Sequence, residues 1–227
     1  MISTTLRAQN PWVAYTVPFL LFLACLFVFP HLPLSPAWGA ALWFVPMGAV
    51  CLKCFPRDVP LCPRHWLSST LIGIAVFGIW IAPDLLFPGY RQAILFSNGI
   101  VGHAHPSIQV DAFRSPTFLL LRTLRAVMIV PVVEELFWRG WLMRWLVNSE
   151  FWKVPLGTYR PSAFWITAVL FASEHGPYWD VGLLAGIVYN AWMIRSKSLA
   201  DCIWMHAVTN AALCAYVITT KQWQYWQ

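Results

Sequence analysis

Two adjacent glutamates and an arginine interrupt an apolar run, VVEELFWRG, at residues 132–140. In a helix, Glu135 and Arg139 are four residues apart and share one face, so they can form a local ion pair. Glu134 is turned by about 100° from Glu135, because a helix has about 3.6 residues per turn. Glu134 is therefore free to point toward other helices, where a carboxylate can take a proton from water.

Two histidines and an asparagine follow farther along the chain. His175 closes the stretch FASEH, directly before a Gly-Pro pair where a helix is expected to end. His206 and Asn210, in HAVTN, lie one turn apart on one helix face. Imidazoles exchange protons and amides donate hydrogen bonds, so these residues and Glu134 form a candidate acid–base site.

Each of these features also has a purely structural interpretation. A buried Glu–Arg pair can simply join helices, and a histidine at a helix end can act as a cap. A His and an Asn one turn apart in a membrane helix can provide hydrogen bonds between helices. The polar residues favour catalysis only if they converge on one place.

The composition is that of a membrane protein. Of the 227 residues, 59% are hydrophobic and 11% are charged, whereas soluble domains carry about 25% charged residues. The mean hydropathy is +0.60. An ionisable group near the bilayer centre costs on the order of 3 kcal/mol, so such groups usually face a protein interior or a water-filled cavity. The net charge is +6, but no basic helix or aromatic cluster of the nucleic-acid-binding type is present, so no nucleic-acid partner is expected.

The apolar stretches predict an all-α, polytopic integral membrane protein of seven to eight transmembrane helices. Pro, Gly and charged residues separate seven of them. A further weak segment, 92–101, is expected as an interfacial or re-entrant piece and would make an eighth. No repeat or linker is evident, so residues 1–227 form one domain. The seven predicted helices are 13–29, 38–54, 66–82, 117–147, 161–175, 181–194 and 199–219.

Basic residues predict how the helices are oriented, because Lys and Arg collect in cytoplasmic loops. With the N-terminus in the cytoplasm and the C-terminus outside, ten basic residues fall on the cytoplasmic side and three on the other. The location expected is a bacterial inner membrane. The ten are Arg7, Lys53, Arg57, Arg64, Arg139, Arg144, Lys153, Arg160, Arg195 and Lys197; the three are Arg91, Arg114 and Lys221; Arg122 and Arg125 are left unassigned.

Two other groups could bind a metal. Cys51, Cys54 and Cys62, with His65 as a fourth ligand, only approximate a zinc pattern, and a juxtamembrane loop with free thiols is the favoured interpretation. The stretch HAH at 103–105 is expected to be an exposed loop. We therefore expect no metal and no cofactor.

The polar motifs resemble those of the CPBP family, the intramembrane proteases related to the CAAX prenyl endopeptidase Rce1. The resemblance covers residues 117–219, the expected catalytic core. The hydrophobic N-terminal half is also similar to a bacterial subgroup of CAAX-protease-related proteins found with exosortase and PEP-CTERM sorting systems. The three family motifs, Glu-Glu-x-x-x-Arg, Phe-x-x-x-His and His-x-x-x-Asn/Asp, correspond to Glu134, Glu135 and Arg139; to Phe171 and His175; and to His206 and Asn210.

The resemblance implies metal-independent hydrolysis of a peptide bond within the membrane. Glu134 and His175 would hold and activate the attacking water. His206 and Asn210 would donate hydrogen bonds to the developing oxyanion, where one donor is worth about 2.7–4 kcal/mol. The substrate implied is a peptide or the C-terminal segment of a protein, lipidated or not, presented in the lipid bilayer.

The remaining motif residues, Glu135, Arg139 and Phe171, would support the site. Three alternatives stay open: a non-catalytic scaffold or immunity protein, a proton-coupled transporter, and a zinc-dependent protease that uses the same residues. No H-E-x-x-H string exists in the chain, but a glutamate and two histidines can form a zinc site.

Overall fold

A computed structural model describes residues 10–57, 59–104 and 110–226, and within them the fold consists of helices and loops without a β-strand. The described residues contain seven long helices, as the apolar stretches predict, with ends within a few residues of the predicted ones. The helices are α1 (Val13–Val28), α2 (Pro36–Cys54), α3 (Trp66–Leu86), α4 (Pro116–Trp145), α5 (Pro161–Ser173), α6 (Trp179–Ser196) and α7 (Leu199–Thr220).

The surface of the bundle confirms a membrane protein. Helices α2, α3, α4 and α7 are long and apolar enough to cross a bilayer, and α1 and α5 are shorter apolar helices. Large apolar side chains point outward along them, for example Phe27, 76% exposed, and Leu52, 84% exposed. Water would penalise such a surface, whereas lipid does not.

The weak segment 92–101 forms turns instead of an eighth helix. The side-chain oxygen of Asn98 accepts hydrogen bonds from the backbone N–H groups of Ile100 and Val101, at 2.8 and 3.1 Å. An asparagine bonded in this way caps a turn and competes with helix formation. Gly102 has a positive φ of 81° that closes the turn.

Arg91 fastens this loop to the rest of the bundle. Its guanidinium donates to the carbonyl oxygen of Pro177 at 2.7 Å and forms ion pairs with Asp84 and Asp180. The hydroxyl of Tyr90 donates to Asp180 at 3.1 Å. Burial raises the pKa of Tyr90, and the neighbouring Asp180 carboxylate raises it further, so the phenol keeps the proton that it donates.

Helices α3 and α7 pack closely, which matters because α7 carries His206 and Asn210. The approach is possible because residue 73 is glycine: a Cβ placed there would lie 2.5 Å from the carbonyl oxygen of Met205. The hydroxyl of Thr209 also donates to the carbonyl oxygen of Gly73 at 2.9 Å. The position of α7 therefore depends on the absence of a side chain at Gly73.

We expect Gly73→Ala to destabilise the protein by about 1–3 kcal/mol, because the added methyl group overpacks a backbone contact that cannot yield. The matched control is Gly78→Ala on the same helix, where no atom lies within 4 Å of the added Cβ. That variant should be neutral or more stable by up to about 1 kcal/mol, through helix propensity. Thermal unfolding in detergent compares the two, and equal midpoints would contradict the packing argument.

Candidate active site

Helix α4 positions the glutamate pair between two π-helical segments, Arg125–Ile129 and Leu136–Leu142. Between them lies a short α-helical stretch, Val130–Glu135. A π segment lets residues face directions that a regular α-helix would not allow, and such segments are frequent at functional sites.

The carboxylate of Glu135 accepts hydrogen bonds from the side chains of an arginine and a histidine. Its Oε1 lies 3.1 Å from Nη1 of Arg139 and 2.9 Å from Nδ1 of His206. The ion pair with Arg139 is the one that the spacing predicts, and His206 on α7 is an additional partner that the sequence does not reveal. Both Glu135 and Arg139 are completely buried. Glu135 therefore faces the protein interior and joins α4 to α7.

Arg139 extends this network to α5 and α6. Its Nε donates to Oδ1 of Asn190 at 2.9 Å, and Nδ2 of Asn190 donates to the carbonyl oxygen of Phe164 at 2.8 Å. Its guanidinium carbon lies 4.5 Å from the centre of the Phe171 ring. Each side of the buried cation thus has a partner, which is what a charge in a low-dielectric interior requires.

Glu134 points into a different space, a cavity of about 520 Å³ between the helices of the bundle. The cavity is also lined by His175, His206 and Asn210, so the four residues predicted to form the site come from α4, α7 and the end of α5 and meet at one cavity. Within the described part of the chain, Oε2 of Glu134 is buried without a hydrogen-bond partner. A buried carboxylate oxygen of this kind is suited to bind a water molecule or a substrate group.

The hydrogen bond of His175 to the backbone determines which of its ring nitrogens is left to accept a proton. Its Nδ1 lies 2.8 Å from the carbonyl oxygen of Phe171, and a carbonyl can only accept, so Nδ1 carries the hydrogen. In the neutral ring, Nε2 is then the basic nitrogen. The edge of the Trp80 ring packs against the imidazole, with 5.2 Å between ring centres, and helps to fix its plane.

His206 is oriented in the same way, but by a carboxylate. Because Glu135 accepts the hydrogen of its Nδ1, Nε2 is the nitrogen left for the cavity. When the ring is protonated, Nε2 donates a hydrogen bond and the charge is balanced by Glu135. The ring of Tyr189, with 5.0 Å between ring centres, lies beside it.

Asn210 is held by the backbone of the first π segment. Its Nδ2 donates to the carbonyl oxygen of Ala126 at 2.8 Å. In a π-helix, the carbonyl oxygen of Ala126 would accept from the N–H of residue 131, but Pro131 has no N–H. In an α-helix it would accept from the N–H of Val130, but that N–H bonds to the carbonyl oxygen of Arg125 instead. One amide hydrogen of Asn210 therefore satisfies the helix, and the second hydrogen remains for a ligand.

Three more charged residues line the cavity that sequence reasoning did not assign to the site. Glu174 accepts a hydrogen bond from Nε1 of Trp138 at 3.1 Å. The guanidinium carbons of Arg125 and Arg122 lie 3.5 Å from the Trp43 ring centre and 5.1 Å from the Trp226 ring centre. Only the adjacency of Glu174 to His175 in the sequence could have indicated one of them.

Neither predicted metal alternative is assembled in the described residues, where no three His, Cys, Asp or Glu side chains are grouped to hold an ion. Cys51 and Cys54 are buried in α2, whereas Cys62 is exposed, and all are free thiols. His103 is bonded to Ser97, and His105, the second histidine of that pair, lies outside the described residues.

Comparison with known proteins identifies the domain. Residues 116–212 match the family model described as type II CAAX prenyl endopeptidase Rce1-like. The match does not test the similarity to the exosortase-associated subgroup. No curated protein and no solved structure matches the chain. The matched segment contains every residue of the three polar motifs and the helices that bring them to the cavity, so the chain carries an Rce1-like domain of the CPBP family over residues 116–212.

Proposed function

We propose that this protein is an intramembrane endopeptidase in which Glu134 activates water without a metal ion. One observation carries the proposal: Glu135 is bonded to Arg139 and His206 away from the cavity, while Glu134 has an unpartnered oxygen on a cavity shared with two imidazoles and an amide. A structural ion pair would need only the first half of this arrangement.

In the first step, water is held between the carboxylate of Glu134 and Nε2 of His175. Glu134 takes one proton from the water while its oxygen attacks the carbonyl carbon of the substrate peptide bond. A C–O bond forms and the carbonyl oxygen becomes an oxyanion. In the second step, the oxyanion re-forms the carbonyl, the C–N bond breaks, and the proton held by Glu134 passes to the leaving amine. The products are a carboxylic acid and an amine, and the enzyme returns to its initial state.

The oxyanion is stabilised by Nε2–H of the protonated His206 and by the second amide hydrogen of Asn210. Both donors are fixed before the substrate binds, His206 through Glu135 and Asn210 through the carbonyl oxygen of Ala126. Donors that need no reorientation lower the barrier most, because the cost of aligning them was met during folding.

The support of the site runs through Arg139. Its bonds to Glu135 and Asn190, and the Phe171 ring beside it, fix the turn of α4 that precedes the second π segment. We assign Glu135, Arg139 and Asn190 a positioning role, because their side chains do not line the cavity.

The substrate class is a peptide or C-terminal protein segment with apolar side chains. The walls of the cavity are largely aromatic and aliphatic, with Phe22, Leu23, Trp43 and Trp80 among the lining residues. Such walls accept apolar side chains or a lipid group, while the few polar groups address the main chain of the substrate. The location proposed is a bacterial inner membrane.

Glu134→Gln should reduce peptide cleavage by at least about 10²-fold, because the amide cannot take a proton from water. Purified protein in nanodiscs is mixed with a library of apolar peptides, and the products are identified by mass spectrometry. The control is Glu150→Gln, an exposed residue paired with Lys153 at 2.7 Å, which should cleave like the wild type. Cleavage by the Glu134→Gln variant at the wild-type rate would show that Glu134 is not the base. Cleavage by neither the wild type nor the variant would favour a scaffold role.

Asn210→Ala should lower kcat by about 10²–10³-fold with little change in KM, because an oxyanion donor acts mainly in the transition state. The variant also loses the hydrogen bond to Ala126, which costs about 1 kcal/mol of stability. Asn148→Ala is the matched control, since Asn148 is exposed and remote from the cavity. A rise in KM alone would assign Asn210 to substrate binding.

The rate of cleavage should survive 1,10-phenanthroline or EDTA, and added Zn²⁺ should not increase it. The reason is that Glu134, His175 and His206 are not grouped as ligands of one ion. Activity that is lost on chelation and restored by Zn²⁺ would show that the same residues perform metal-assisted hydrolysis instead.

A further inference from the structure

The two ends of the bundle differ in their basic residues. Among the residues that the structure describes, eight Lys and Arg residues lie at the end where α2, α4 and α6 finish, in the loops or in the adjacent helix turns; we name this end the basic end. The opposite end has three. Arg122, Arg125 and Arg139 belong to neither, since they lie inside α4. The eight are Lys53, Arg57, Arg64, Arg144, Lys153, Arg160, Arg195 and Lys197, and the three are Arg91, Arg114 and Lys221.

Contacts between loops show that the basic end is one continuous surface. Val59, from the loop before α3, packs in the same cluster as Phe151, from the loop after α4, and Leu199, at the start of α7. The backbone N–H of His65 donates to the carboxylate of Asp201 at 2.7 Å. The loops that carry the basic residues therefore lie on the same side of the bundle.

The cavity lies in the other half. Helices α1, α3 and α5 run away from the basic end, and their lining residues belong to the later turns. Helices α2 and α4 run toward the basic end, and their lining residues belong to the earlier turns or the middle. On α7 the lining begins at His206 and continues to Cys214, and Tyr225 and Trp226 extend it beyond the helix. None of the residues in the basic-end cluster of Val59, Phe151 and Leu199 lines it.

The cavity also reaches the surface at that far end. Glu174 lines the cavity and is at the same time an exposed residue, directly after the last turn of α5. Its exposure places a polar entrance at the end of the bundle opposite the basic loops. Toward the basic end, the floor is closed by the buried network of Glu135, Arg139 and Asn190.

We propose that the catalytic cavity opens on the non-cytoplasmic side of the membrane and acts on polypeptide that has already been exported. Loops rich in Lys and Arg stay in the cytoplasm, which fixes the basic end there. The substrate class is then a translocated or membrane-inserted segment, and a membrane-translocation reaction must supply it. The reaction assigned to the cavity rests on the proposed function, whereas the side on which it opens does not.

Cysteine accessibility in intact cells tests this orientation. In a Cys62→Ser background, which removes the one exposed cysteine of the described residues, single cysteines are introduced as Gln222→Cys, Leu213→Cys and Glu150→Cys. The first position is exposed beyond α7, the second lines the cavity, and the third is exposed at the basic end. The probe is a membrane-impermeant maleimide, added before or after permeabilisation, and the background protein provides the blank.

Labelling of the Gln222→Cys and Leu213→Cys variants in intact cells, with Glu150→Cys labelled only after permeabilisation, is the expected result. Any other pattern overturns the proposal. Labelling of Glu150→Cys in intact cells would mean that the basic end is not confined to the cytoplasmic side. An unlabelled Leu213→Cys together with a labelled Gln222→Cys would mean that the cavity is closed to the non-cytoplasmic side. The same pattern should appear when Glu134→Gln is added, so an inactive protease and a wrong orientation remain distinguishable. Labelling after denaturation in detergent verifies that each variant is present.

Discussion

The buried carboxylate of Glu135 is the constraint on which the rest of the site depends. An unpaired charge in the interior costs several kcal/mol, so Glu135 can be buried only with Arg139 and His206 bonded to it. Once Glu135 is fixed inward, the neighbouring Glu134 must face about 100° away, toward the cavity. The same bonds fix α4 against α7 and set the tautomer of His206. One internal ion pair thus determines the direction of Glu134, the proposed base, and of His206 on another helix.

The irregularity of α4 follows a second constraint, that no backbone polar group can be left without a partner in a membrane. Pro131 has no N–H to donate within the helix. A π segment precedes it, and the carbonyl oxygen of Ala126 in that segment accepts a hydrogen bond from Asn210. A defect in one helix is therefore repaired by a side chain of another. The same hydrogen bond holds the Asn210 amide at the cavity. Pro131, which interrupts the hydrogen bonds of α4, therefore contributes to the placement of the site.

Much of the fold could be predicted from the sequence, because helices in lipid must be apolar and their interruptions are Pro, Gly and charge. The convergence of Glu134, His175, His206 and Asn210 on one cavity also followed from the motifs. What could not be predicted were contacts between distant helices, such as that of Asn190 with Arg139, since helical spacing describes only neighbours on one helix. The segment 92–101 was ambiguous for a related reason, as its apolar residues form no regular period and Asn98 decides the turn.

The cavity combines requirements that conflict in a bilayer. The proposed hydrolysis of a peptide bond needs water in the cavity, yet isolated charges are costly where lipid surrounds the protein. The arginines of the cavity meet this conflict by stacking: Arg125 lies over Trp43 and Arg122 over Trp226, so each cation exchanges part of its hydration for an aromatic face. Two carboxyl groups, Glu134 and Glu174, line the same space. The cavity thus combines polar groups that can hold water with the aromatic rings of Trp43, Trp80 and Trp226.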